Sequence, residues 1–219
     1  LLAATGTGIG AELVNQSIKD NGEGLAGLAL GTKDMNLFRE NITNNEYLLS
    51  EISAGEGINE QNEQREWLLQ FLPHDLTRGL LSFVVEHKSG ALPLIEGNKS
   101  AINKLEQVVI KTNDADGFIQ IYRDIFGIRL ALDKFVEAWK KRILFFRLNK
   151  TTIEVIEEIN DIVSPTDSLW GLAWGVSDIN LAKARLEENN IEISDIKPGV
   201  KEDTLVATVK SDTNNVPTL

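Results

Sequence analysis

The sequence contains no cysteine, which removes disulfides, thiolate nucleophiles and cysteine-based zinc sites together and leaves oxygen and imidazole chemistry. Imidazole is scarce too, since His74 and His87 are the only histidines in 219 residues. No apolar run approaches the roughly 20 residues that span a bilayer, and the first residues lack the basic-then-apolar order of a signal peptide. A cytoplasmic protein with no membrane partner is therefore expected. Basic residues are the minority, 22 against 33 acidic for a net charge of −11, and they are scattered. A phosphate backbone would be repelled over most of such a surface, so nucleic acid is not an expected partner. No G-x-S-x-G nucleophile motif occurs, and GTGIGAE at 6–12 lacks the spaced third glycine of a dinucleotide loop, so it reads as a loop.

With 42% hydrophobic and 25% charged residues, the chain can bury one large core or two modest ones. It opens at Leu1 with LLAATG and no initiator Met, which reads as a strand running into a loop and leads us to expect a fragment of a longer protein.

A repeat organises the sequence. GLALGTKDMNL at 27–37 matches GLAWGVSDINL at 171–181 in 7 of 11 positions at an offset of 144. Each copy is a short apolar run, an Asp placed as helix N-cap (Asp34, Asp178), and apolar residues at spacings of three and seven. Met35, Phe38 and Ile42 form one helix face, and Ile179, Ala182 and Leu186 the other. Asn44-Asn45 and Asn189-Asn190 suit a left-handed residue at the helix ends. Tyr47 to Ile52 and Ile191 to Ile196 then read as strands. ALPLI at 91–95 aligns with NVPTL at 215–219 at an offset of 124, so the first copy is expected to carry about 20 extra residues between Gly55 and Leu80. Their polar run INEQNEQREW reads as a solvated loop or short helix docked by Trp67, Leu68 and Phe71.

After the linker candidate Gly97-Asn98-Lys99-Ser100 comes a third unit. Leu105 to Ile110 reads as a strand. Asp114 caps a helix carrying Phe118, Ile121, Tyr122 and Ile125, and Gly127 stops it. Strands at 129–132, 143–148 and 152–156 complete a β-α-β-β-β order.

LEQVVIKTNDADGFIQIYRDIFGIRLAL with RILFFRLNKTTIEVIE, followed by LWGLAWGVSDINLAKARLEENNIEI with VPTL, resembles the two modules of a domain of the vicinal oxygen chelate superfamily, the glyoxalase and bleomycin-resistance fold. The resemblance implies an α+β protein whose paired βαβββ modules form a curved mixed sheet, with 101–219 a complete two-module domain. Residues 1–97 are then the C-terminal half of a first glyoxalase-like domain, with an insertion at about 56–79 and its own N-terminal module absent. It also implies a cup for a small metabolite, lyase- or isomerase-type chemistry, and room for a homodimer.

The family's four metal-ligand positions map onto Gln107, Glu154, Gly171 and about Thr218, with Gly27 and Leu94 in the half domain. A divalent ion needs three or four donors, and this set offers Gln107 and Glu154, so a metal-free cup is expected, with those two as the only weak ligand candidates. Glu154 is the candidate catalytic residue, as general base or substrate anchor; the competing reading is an ion pair with Arg147 or Arg142. Gln107 would orient a substrate carbonyl or be satisfied by a neighbouring backbone group. Trp170 and Trp174, on one face by period two, would wall a flat ligand, although core packing is the favoured role. Arg147 would hold an anionic group or pair with Glu154. Two functions stay open: a glyoxalase-like enzyme, and a non-catalytic binding or sequestering protein of the drug-resistance type.

Overall fold

The computed structural model describes residues 7–90, 99–158, 165–200 and 203–219, and they fall into two compact units. One unit comprises described parts of 1–26, 97–109 and 169–219, the other of 27–96 and 110–168.

The second unit contains a complete β-α-β-β-β module near its start. Strand β1 (Gly27–Gly31) leads through the Asp34 cap, whose Oδ1 accepts from Leu37 N, into α2 (Met35–Asn44). Strands β2 (Ser53–Ile58), β3 (Gln64–Phe71) and β4 (Leu81–Ser89) follow, with α3 (His74–Thr77) between the last two. The order in the sheet is β1-β4-β3-β2, with β1 and β4 parallel and the other pairs antiparallel. Two expectations fail here. Tyr47 to Ile52 is irregular and the strand begins at Ser53, and the supposed insertion contains β3. Trp67 of β3 lies across the bare backbone of Gly55, where a Cβ would come within 2.4 Å of its ring. His87 lies within β4, opposite Trp67.

The same unit holds α4 (Ala115–Ile119), capped by Asp114 and continued as a π-helical segment, Gln120–Ile125, up to Gly127 with φ of 69°. Strands β6 (Arg129–Val136), β7 (Lys141–Leu148) and β8 (Thr151–Glu157) form antiparallel pairs, and β8 is followed in the sheet by β5 (Ile102–Thr112), whose last three residues belong to this unit. Period two sets alternate residues of β7 and β8 on opposite faces, with Ile143 and Thr152 buried on the one and the larger apolar set on the other. Leu144, Phe146, Ile153 and Val155 are fully buried with Phe118 and Tyr122, whose rings stack at 3.9 Å. Removing such a side chain costs roughly 3–5 kcal/mol. Phe126 joins this cluster to Phe38 of α2, at 6.1 Å between ring centroids.

In the first unit, the IGAE part of GTGIGAE begins a helix rather than a loop: α1 (Ile9–Asn21) follows Gly8. Strand β9 (Asp167–Val176) lies mostly here, beside the Ile102–Val109 part of β5, and leads through the Asp178 cap into α5 (Ile179–Glu188). A two-stranded ribbon, β10 (Lys197–Pro198) with β11 (Leu205–Val206), follows. Leu172 bridges Thr218 in parallel, Thr218 bridges Val209 and Val209 bridges Ile193 antiparallel. This repeats the order of β1-β4-β3-β2, so the sequence repeat is a repeat of structure. The two helices and their caps keep the offset of 144, and the left-handed residues after them are Glu46 and Asn190. The far ends do not keep the expected one. Gly27 abuts the carbonyl of Leu81 and Gly171 that of Pro217, which makes Ser82, not Leu94, the counterpart of Thr218. The resulting offset of 136 leaves the first copy about 8 residues longer, not about 20. Leu94 itself lies outside the described residues, as do Gly97 and Asn98 of the linker candidate.

Candidate functional site

The face of β6-β7-β8 turned away from the buried aromatic cluster is a grid fixed by register. One row is Arg129, Arg147 and Thr152; the next is Leu132, Phe145 and Glu154; the third is Lys134, Ile143 and Ile156. A bulge between Leu130 and Leu132 brings Leu132 opposite Phe145. Glu154 is therefore flanked by Phe145 across the strand pair and by Thr152 and Ile156 along its own strand. It is half-buried and, among the described residues, has no ion pair or hydrogen bond. Burial alone pushes its carboxyl above the ordinary range.

The expected ion-pair partners are engaged elsewhere. Arg142 holds Asp133 and Asp116, each at 2.8 Å. Arg147 stands opposite Thr152, not Glu154, and its Nη1 donates to the Thr152 hydroxyl.

Gln107 is half-buried on β5. Trp170 and Trp174 do share a face of β9, but they are 43% and 36% exposed, so the core-packing role is not theirs. The buried face of that strand carries Gly171 and Ala173 instead. The reason is steric: a Cβ on Gly171 would lie 2.7 Å from the carbonyl oxygen of Pro217, so the segment at 216–219 approaches closely only because there is no side chain.

That approach decides the fit of the metal the fold family uses. The third ligand position, Gly171, has neither a donor nor room for one, and the Thr218 hydroxyl at the fourth is turned to the Val216 carbonyl at 2.7 Å. Among the described residues no three His, Asp or Glu side chains gather as a metal-binding group. The donor set does not fit a divalent ion.

Sequence reasoning missed Arg78. It follows α3 in a left-handed conformation (φ 49°, ψ 41°) and is buried, with its side chain 6% exposed. Its Nε and Nη2 donate to Asp167 at 3.1 and 2.6 Å, Nη2 to the Thr112 hydroxyl at 2.7 Å, and Nη1 to the carbonyl and carboxylate of Asp114 at 3.0 Å each. Phe118 lies 5.6 Å below the guanidinium. Nothing local announces this cluster, because its partners lie 34 to 89 residues away.

Among the described residues no helix is long and apolar enough to cross a membrane. No curated protein matches the sequence. Among solved structures, similar chains include a methylmalonyl-CoA epimerase from Mycobacterium tuberculosis, at 18% identity over 53% of this chain and 85% of that one, with a TM-score of 0.43. A hypothetical protein from Bacillus halodurans is 18% identical over 52% and 90%, at 0.43. A Streptomyces coelicolor methylmalonyl-CoA epimerase in complex with 2-nitronate-propionyl-CoA is 13% identical over 54% and 95%, at 0.44. A sequence profile matches residues 106–208, and the α+β fold, with its β-α-β-β-β modules, agrees with it. Over residues 106–208 the chain is similar to the Glyoxalase/Bleomycin resistance protein/Dioxygenase superfamily, whose family model matches that stretch.

Proposed function

We propose that the Glu154 face binds a small metabolite and that Glu154 moves a proton to or from a carbon acid, a lyase- or isomerase-type step that uses no metal at this face. One observation carries the reading: a half-buried carboxylate with no partner among the described residues, flanked by Phe145, Thr152 and Ile156, and pushed upward by burial. A structural carboxylate would be paired; an unpaired one raised toward neutrality is suited to accept and return a proton. The proton leaves the carbon, rests on Glu154 Oε, and returns to the same or a neighbouring carbon.

The test is exchange of substrate C–H for solvent deuterium across a panel of 2-substituted acyl thioesters and 2-oxo acids. Wild type should exchange at least one member, and Glu154→Gln should slow it by about 100-fold or more. Exchange that survives unchanged in the variant would remove Glu154 from the step.

The second reading, a non-catalytic binder, rests on the exposed Trp170 and Trp174 on one face of β9. Ligand binding that quenches tryptophan fluorescence, with no exchange anywhere in the panel, would favour it. We also read 101–219 as one complete two-module domain and 27–89 as a module of a second, on the strength of the repeated strand order.

A further inference from the structure

We infer that the Glu154 face carries an anion subsite, formed by Arg129 and Arg147, that selects ligands bearing a carboxylate or phosphate group. The inference rests on reading this face as the ligand site and narrows its ligand class.

Register sets Arg129 of β6 directly opposite Arg147 of β7, and both are exposed. Cβ atoms so placed lie about 5 Å apart, and like charges in that position repel. Among the described residues neither arginine has a carboxylate partner, in a chain with 33 acidic residues. Arg142, five residues before Arg147 on the same strand, shows the alternative: it is matched by two aspartates.

A second feature points the same way. Arg147 is oriented by a neutral group, the buried hydroxyl of Thr152, which fixes the guanidinium without cancelling its charge. One N–H is used there and the rest of the fork stays available. An oxyanion bridging the two guanidinium groups would relieve their repulsion and take charge-assisted bonds from both. Glu154 lies one row further along the sheet, about 7 Å at two residues of strand rise. A compact ligand anchored by its anionic end would thus present a carbon a few bonds away to the carboxylate.

The experiment titrates the full chain with malonate and, separately, inorganic phosphate at constant ionic strength, following binding by calorimetry. Arg129→Gln and Arg147→Gln should each weaken binding about tenfold or more, while Lys134→Gln in the third row should change it less than about twofold. Each arginine variant should also be at least as thermally stable as wild type without anion, and should lose the stabilisation that anion gives wild type. Malonate alone would identify a carboxylate ligand, phosphate alone a phosphorylated one. Binding of neither, or binding indifferent to both arginines, would overturn the inference. Glu154→Gln should bind the anions at least as well as wild type, so loss of proton transfer and loss of the anion subsite are read separately.

Discussion

Replacing Arg78 with methionine keeps most of the apolar stem and deletes the charge that Asp167 is built around. The Asp167 side chain is 1% exposed and its carboxylate receives two of the arginine's donors. Stranding a buried carboxylate costs about 3–5 kcal/mol, and loss of the contact with Phe118 adds about 0.5–2 kcal/mol. Against a whole-domain stability of about 5–15 kcal/mol, the variant should be marginal or unfolded at neutral pH. Burial already raises Asp167 and Arg78 pulls it back, so without the arginine the carboxyl rises further and takes up a proton. A folded-state pKa above the unfolded one gives stability at low pH that is lost as pH rises through the folded value. Urea unfolding of Arg78→Met should therefore show the smaller loss near pH 5 and the larger near pH 8. Arg78→Met with Asp167→Leu removes both partners and should recover most of the loss, since an apolar replacement of a buried pair is often neutral. A loss below about 1 kcal/mol in the single variant, or no recovery in the double, would refute a buried ion pair that secures this unit.

Other consequences are independent of that cluster. Gly171→Ala places a Cβ at 2.7 Å from the Pro217 carbonyl and should cost about 1–3 kcal/mol in chemical denaturation; Gly27→Ala, against Leu81, should behave alike. Asp178→Ala removes the hydroxyl-free cap that accepts from Asn180 and Leu181 N, an expected loss of about 1 kcal/mol by the same measurement. Glu154 has its folded pKa raised, so it weakens the fold as pH rises through that value. Glu154→Gln should gain stability relative to wild type from acid to neutral pH, and a difference independent of pH would contradict the burial argument. The Ser82 hydroxyl is buried with no partner among the described residues, so Ser82→Ala should be neutral or stabilising by up to about 1 kcal/mol in thermal unfolding.

What the sequence made legible was local. Asp34, Asp114 and Asp178 each accept from a backbone N–H two or three residues on, and the stacked Phe118 and Tyr122 follow from helical spacing within one segment. Strand β3 escaped because Gln64, Glu66 and the buried Gln70 are polar residues of one face and the other face begins with Arg65, so polarity and burial do not alternate together along it. The last pairing of the repeat differs from the expected one for a related reason. Residues 91–95 resemble 215–219 in sequence, but the equivalence is carried by backbone contact at Gly27 and Gly171 rather than by matching side chains.

The site divides along the same line. Period two places Trp170 with Trp174 and Glu154 with Thr152, but it does not say which face is buried. On β9 the small residues take the buried side because another backbone, not a side chain, packs there. On β8 the side filled by Phe118 and Tyr122 claims Ile153 and Val155, which leaves Glu154 on the other. Whether Glu154 faces an arginine is set by cross-strand register, which no spacing within one strand reveals. A shift of one residue would exchange the faces, and a shift of two would bring Arg147 opposite Glu154 and make an ordinary cross-strand ion pair. Register instead gives Arg147 a threonine and another arginine. The unpaired acid and the unmatched bases are thus two results of one alignment, and a ligand that is both an anion and a carbon acid would satisfy them together.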